Sequence, residues 1–204
     1  MAKADSRMAM IDAAEAIVAE RGLGAMSLRE VQTAAGQLNK NAAQYHFGNR
    51  EGLIAAVVEA RMGPINERRW RMVEQLDSAE AAARQWIEAL VLPLAQAVRD
   101  DPDSRYARFL AQAFLDPQLG LMVAGHIRTG SYRAAQDGLV AGSGLPQEQA
   151  SRRAFFVLSM VVVSLAGWEA RRAEFDDPDD FIADLVEAAS AAFAAPVPKG
   201  AHHD

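Results

Sequence analysis

The chain predicts an all-α fold in two parts, and three observations carry that expectation. Apolar residues recur at helical spacing along most of its 204 residues, and no segment alternates apolar and polar positions as a half-buried strand would. Gly, Pro, Asn and Ser interrupt this pattern where helices should start and stop. Between Ser27 and Leu53, SLREVQTAAGQLNKNAAQYHFGNREGL reads as two short helices, a tight turn and a third helix start. The expected division is a three-helix unit over residues 1–50, a larger helical domain over 51–195 and a disordered tail over 196–204.

The first helix spans about Ser6 to Glu20, with Met10, Ile11, Ala14, Ile17 and Val18 inward and Asp12, Glu15 and Arg21 toward water. The second begins at Ser27, because Glu30 three residues on completes a capping box in which each side chain satisfies the other's backbone N–H. Leu28, Val31, Ala34 and Ala35 form its apolar stripe, and Gly36 ends it. A helix this short is marginal alone and must be held by its neighbours.

A new start signal follows at Asn39, with Leu38 placed to staple onto Ala43, so the third helix should run from about Lys40 to Phe47. At 100° per residue, Ala42, Ala43, His46 and Phe47 fall on one side and Lys40, Asn41, Gln44 and Tyr45 on the other. The second face consists of donors and acceptors. Asn and Gln pair bidentately with adenine edges, Lys reaches guanine or phosphate, and Tyr reaches phosphate, so this set suits a helix in the DNA major groove; a merely solvated polar face is the bland alternative. His46 reads as a semi-buried group within reach of a phosphate. Gly48 closes the helix, and Asn49 caps a fourth whose free N–H groups, with Arg50, make a phosphate anchor.

These segments resemble the tetracycline-repressor (TetR) family of bacterial transcription regulators. The resemblance lies in the first helix MAMIDAAEAIVAERGLGAMSL, in REVQTAAG, in Tyr45-His46-Phe47, and in GNREGL, which is similar to that family's F-x-S-K-E-x-L segment. It covers roughly residues 7–57 and implies that Lys40, Asn41, Gln44 and Tyr45 face DNA, that Ser27 and Arg50 contact phosphates, and that Phe47 is core. Two departures stand out: Gly36 to Tyr45 is one residue longer than the commonest family spacing, and Arg50 replaces the usual Lys.

Composition narrows the function classes. The chain has no cysteine, so disulfides and thiolate metal sites are excluded. No phosphate-cradling glycine loop, G-x-S-x-G or H-E-x-x-H occurs, so no catalytic residue, cofactor or metal is expected and an enzyme is disfavoured. The net charge of −6 is unevenly placed: residues 1–50 carry six Lys/Arg against five Asp/Glu, and residues 51–204 carry fifteen against twenty-two, which leaves the acid away from the reading helices. MAKADSRMAM lacks a signal-peptide core, and Ala154–Gly167 is apolar but shorter than the roughly 20 residues of a membrane span, so a cytoplasmic protein with no membrane association is expected.

The fourth helix buries Leu53, Ile54, Val57 and Val58 and meets Gly63-Pro64, where a kink or restart should join the domains. Beyond it Ile65, Trp70, Val73 and Leu76 are apolar, and Arg68, Arg69 and Arg71 read as a solvated face. Further helices are expected from Ser78 to Arg99 with a disturbance at Pro93, from Asp103 to Leu115, from Pro117 to Val140 with glycine interruptions, from Pro146 to Glu174, and from Pro178 to Ala194. ARMGPINERR and the long closing helices are similar to TetR-family effector domains, which implies an inducer cavity and a dimer.

Trp86, Leu90, Tyr106, Phe109, Phe114, Met122, His126, Met160 and Trp168 are the cavity candidates, since Met and aromatics suit an adaptable pocket, although they also form ordinary cores. His126, Tyr106 and Arg128 are the polar contacts expected for a small apolar effector bearing a carboxylate or hydroxyl. The last two long helices are apolar over more of their circumference than one core can use, which predicts a homodimer through Phe155, Leu158, Val162, Leu165, Ile182, Leu185, Val186, Ala189 and Phe193. The sequence therefore predicts a ligand-responsive DNA-binding regulator that represses from a palindromic double-stranded operator. The alternative is a helical ligand-binding or interaction module without operator recognition.

Overall fold

Among the described residues, ten α-helices run between Ala2 and Ala194 and no strand occurs. The computed structural model describes residues 2–77, 81–127, 130–175 and 177–197, and only the backbone of residues 2–4, 122, 124, 126 and 127. The helices are α1 (Ala2–Arg21), α2 (Leu28–Ala34), α3 (Ala42–Phe47), α4 (Arg50–Val73), α5 (Ala83–Asp100), α6 (Tyr106–Leu115), α7 (Gly120–Ile127), α8 (Gly130–Ala141), α9 (Gln147–Ala170) and α10 (Pro178–Ala194). Short 3-10 turns occupy Leu23–Ala25 and Arg172–Glu174. Residues 198–204 of the expected tail lie outside those described, as does Ser78, the expected start of the fifth helix.

The head, α1 to α3 with the start of α4, closes over Met10, Ile11, Ala14, Val18, Val31, Ala43, Phe47, Leu53 and Ile54. Helix α2 contributes one buried residue, Val31; Leu28 and Ala35 are half-buried and Ala34 is exposed, so its expected four-residue stripe is narrower in fact. Glu15 departs from expectation too. It faces the joint with α6 and is buried, because Arg61 and the Arg105 backbone N–H supply partners that an isolated helix lacks.

Helix α4 passes through Gly63-Pro64 without stopping, so the expected restart is replaced by one 24-residue rod from head to body. Proline removes one N–H, and packing on both sides compensates: Met62 and Ile65 flank it and are both buried. Pro93 is carried inside α5 in the same way. The glycine interruptions after Pro117 do divide that stretch, giving α7 and α8, with Gly130 at φ 55° opening the second.

In the body, α9 packs against α6, α10, α8 and α5, and α5 also packs against α4, α8 and α10. Helix α9 is long and apolar enough to cross a membrane, yet 56% of its most apolar window is buried within the chain. It is the central helix of this core.

Candidate nucleic-acid interface

Local chemistry sets each turn of the head. Ser27 Oγ accepts the Glu30 N–H at 3.1 Å, which is half of the predicted capping box; the Glu30 carboxylate turns instead to Arg21 at 3.2 Å. Gly36 and Gly48 hold φ of 64° and 73°, conformations strained for side-chain-bearing residues. Asn49 Oδ1 accepts the Gly52 N–H at 2.7 Å and caps α4 as expected. A Cβ on Gly52 would lie 2.1 Å from the Phe47 carbonyl oxygen, so only glycine permits the close approach of α4 to the end of α3.

Helix α3 starts at Ala42, two residues later than predicted. Lys40 and Asn41 therefore lie in the turn leading into it, where Asn39 Oδ1 accepts the Asn41 N–H at 3.0 Å and acts as an Asx turn. Leu38 does not staple onto Ala43: it is 98% exposed, because the turn projects it outward. Gln32 supplies the fastening instead, its Oε1 accepting the Ala43 N–H at 3.4 Å across from α2.

The outcome is a groove of about 750 Å³ between α2 and α3, lined among others by Arg29, Thr33, Leu38, Lys40, Asn41 and Gln44. Lys40, Asn41, Gln44 and Tyr45 are exposed together, Tyr45 at 69%, so the predicted polar face exists even though half of it is turn rather than helix. His46 is half-buried between Tyr45 and Phe47, with ring centroids 5.2 and 5.9 Å away. Sequence reasoning missed Arg29 and Thr33. Their signal was α2 register, which places both on the side opposite Val31.

Arg50 corrects an expectation. Its Nη2 donates to the Leu23 carbonyl at 2.8 Å and its Nε to Met26 at 3.2 Å, so the half-buried guanidinium braces the loop before α2 rather than standing free for a phosphate. The Leu23 carbonyl also accepts the Met26 N–H at 3.2 Å, so the guanidinium adds a second donor to the bond that closes the 3-10 turn. Ser27 stays exposed at the α2 N-terminus.

The head is fastened to the body at α6. Glu15 Oε2 accepts from Arg61 Nε at 2.7 Å and Oε1 from the Arg105 N–H at 3.1 Å, while Arg61 Nη2 reaches Asp12 at 2.6 Å. Burial pushes the Glu15 carboxyl up and Arg61 opposes that shift. Gln112 Nε2 donates to the Val18 carbonyl at 2.7 Å and its Oε1 accepts the Leu23 N–H at 2.9 Å. From the other side Glu169 of α9, its side chain fully buried, accepts from Ser104 Oγ and from the Ala107 and Arg108 N–H groups at 2.9 to 3.1 Å, capping the α6 N-terminus.

Among the described residues, the body holds a narrow cavity of about 20 Å³, room for a single water, lined by Met62, Arg69, Leu90, Leu94, Leu110, Tyr132 and residues of α9. Of the predicted cavity residues whose side chains are described, only Leu90 lines it. Trp86, Tyr106, Phe109 and Trp168 are buried elsewhere: Trp86 against Gly138, Tyr106 on Phe109 at 6.3 Å between centroids, and Trp168 on Phe181 at 5.8 Å. Met160 is half-buried and not on its wall, and Phe114 is half-buried beside Phe155 at 6.1 Å. The side chains of Met122 and His126, and all of Arg128, lie outside the described residues. Arg69 was read as solvated, yet it is 1% exposed, because Met62, Ile65, Arg69 and Met72 share one face of α4 and Ile65 and Met62 set that face inward. Trp70, one step round, is correspondingly 40% exposed.

The predicted dimer stripe also shifts. Leu158, Val162, Leu165, Ile182, Leu185, Val186, Ala189 and Phe193 are all buried inside the chain, since α9 and α10 spend their strongest stripes on their own core; only Phe155 of that set is exposed. Phe156 and Val163, off the stripe, are exposed beside it. No group of three metal-ligating side chains occurs among the described residues.

The head has the geometry of a DNA-binding helix-turn-helix, and a separate helical body hangs from it by α4 and α6. The head thus belongs to the helix-turn-helix class. Residues 10–57, the head and the start of α4, match the family model of the bacterial regulatory proteins of the tetR family. Among solved structures, FadR from Bacillus subtilis in complex with stearoyl-CoA is 16% identical, with 94% of this chain and 99% of that one covered at a TM-score of 0.68. FadR from Bacillus halodurans is 16% identical, with 98% and 97% covered at 0.67, and SmeT in complex with triclosan is 19% identical, with 96% and 93% covered at 0.61. At these identities the likeness establishes the shared fold. Comparison with curated protein sequences gives no significant match.

Proposed function

We propose that the chain is a ligand-responsive repressor that binds a near-palindromic operator as a two-fold dimer and is released by a small, largely apolar effector. The observation that carries this reading is α4: one continuous helix joins the capped start beside α3 to the wall of the body's cavity. Lys40, Asn41, Gln44 and Tyr45, joined by Arg29 and Thr33, read the major groove; among the described residues the side-chain polar groups of Lys40, Asn41 and Gln44 make no hydrogen bond within the chain. Ser27 supplies a phosphate contact at the α2 N-terminus, and His46 is close enough to the face to supply another.

The dimer forms through the outer faces of α9 and α10: α9 exposes Phe155, Phe156 and Val163, and α10 exposes the small residues Ala183, Ala188 and Ala191. Small residues on one helix admit large ones from a partner's, and packing two such faces about a two-fold axis sets the heads about one DNA turn, roughly 34 Å, apart. Two relatives in fold are solved with stearoyl-CoA and triclosan, both ligands with large apolar parts, which favours an apolar effector here. Such a ligand must prefer the conformation in which α4 holds the heads at the wrong spacing, since equal affinity for both states shifts nothing.

A gel-shift with the DNA flanking the chain's own gene tests the reading directly. Binding that survives an excess of random DNA is expected, and its absence removes the regulator reading in favour of an interaction module. Sedimentation should give a dimer that Val163→Glu converts to monomer; a stable wild-type monomer at micromolar concentration overturns the two-fold arrangement.

A further inference from the structure

Arg69 is the one charged side chain on the cavity wall, and its surroundings explain its position but not its charge. Pro93 has no N–H, so the Ala89 carbonyl one turn earlier in α5 loses its helical donor; Arg69 Nε fills that vacancy at 3.1 Å. Nη1 donates to Asn66 Oδ1 at 2.7 Å, and the same oxygen accepts Ser131 Oγ at 3.2 Å. These bonds engage two of a guanidinium's five donors, and both acceptors are neutral. Tyr132 lies 5.5 Å from the guanidinium carbon, centroid to atom, as a cation-π partner. No carboxylate pairs with Arg69 among the described residues, although Arg108 and Arg61, both less buried, have one and two respectively.

A neutral donor would satisfy Ala89 equally well. A buried cation without a counter-ion is instead an expensive arrangement, and one that an incoming anion relieves. Burial pushes the guanidinium down to about 10, which leaves it charged at neutral pH. Apart from Arg69, Tyr132 and Met62 the wall is aliphatic: Leu90, Leu94, Leu110, Val157 and Val161 offer no polar group.

We propose that this cavity takes an aliphatic carboxylate, its carboxylate paired with the free N–H groups of Arg69 and its chain among the leucines and valines of α5, α6 and α9. This deepens the effector reading above and rests on it for the consequence, not for the binding. The wall now encloses room for about one water, so the chain of the acid enters by displacing side chains between α4, α5 and α9. The displaced α4 is the helix that carries the head. A thioester has no carboxylate to offer, so the free acid rather than an acyl conjugate is the fitting class.

The test uses octanoate, octanol and octylammonium, titrated by calorimetry into the full chain without DNA. Octanoate should bind at least about tenfold tighter than octanol, the factor one charge-assisted hydrogen bond supplies, and octylammonium should bind weakest. In Arg69→Met the octanoate preference should vanish while octanol binding remains; Arg69→Lys should retain part of the preference. Equal affinity of wild type for octanoate and octanol overturns the proposal without recourse to any variant, and so does an unchanged preference in a folded Arg69→Met. The two readings fail separately: octanoate preference with no effect on operator binding keeps the site and removes the ligand response, whereas release of operator by octanol and octanoate alike keeps the response and removes the anion site.

Discussion

The head and the body are both helical, yet they are held together by different kinds of contact. In the head, the bonds that shape each turn are local: Ser27 to Glu30, Asn39 to Asn41 and Asn49 to Gly52 span two or three residues, and glycines at positions 36 and 48 take the left-handed turns. In the body and at its joint with the head, the deciding bonds connect distant segments: Glu169 reaches Ser104, 65 positions away, and Gln112 reaches Val18, 94 positions away. A short-range scaffold presents polar side chains outward because nothing in it needs them inward. A long-range core places even charged groups inside, where each must find partners or remain exposed to a costly environment. The comparison separates shape, set locally in the head, from tension between elements, which resides in the body and its joint.

The variant expected to discriminate most strongly is Glu169→Ala. It leaves the α6 N-terminus uncapped inside the core and Arg108 without its carboxylate, so about 3–5 kcal/mol of stability should be lost. Urea unfolding followed by circular dichroism measures this, and a loss under about 1 kcal/mol would mean that the long-range clamp is dispensable.

Gly52→Ala attacks the head where it is tightest. With Phe47 oxygen 2.1 Å from the new Cβ, α3 and α4 must separate, at roughly 1–3 kcal/mol. DNA affinity should fall further than stability, because the groove is displaced while the body stays folded. Equal unfolding midpoints for this variant and wild type would show that the head yields more readily than its geometry implies.

Gln44→Ala should cost about 1–3 kcal/mol in operator binding and relax base preference, with stability within about 0.5 kcal/mol of wild type. An equal effect on operator and random DNA would return Gln44 to a merely solvated surface. Arg50→Ala sharpens the comparison with the smallest expected effect. Because its guanidinium is committed to Leu23 and Met26, the loss should appear as about 0.5–1.5 kcal/mol of folding stability. A salt dependence of DNA binding flattened by about one unit, with stability unchanged, would restore the phosphate role.

Much of the molecule is legible in the chain before it folds. The all-α class, the helix-turn-helix, the Asn49 cap and the polar set at 40, 41, 44 and 45 follow from periodicity, capping and turn chemistry, all of which act over a few residues. The tertiary structure alone decided whether Pro64 stops α4, which way Leu38 points, and on which side of α9 and α10 the core lies. It also decided which charges are buried, among them Glu15 at the joint and Arg69 and Glu169 in the body, all nearly inaccessible to water. Their types suggest solvent, and only partners on other helices reverse that preference: Arg61 and Arg105 for Glu15, the proline-orphaned carbonyl of Ala89 for Arg69, and the uncapped start of α6 for Glu169. A side chain's own chemistry sets what burial costs it, whereas the groups that offset the cost come from parts of the chain that folding alone brings near.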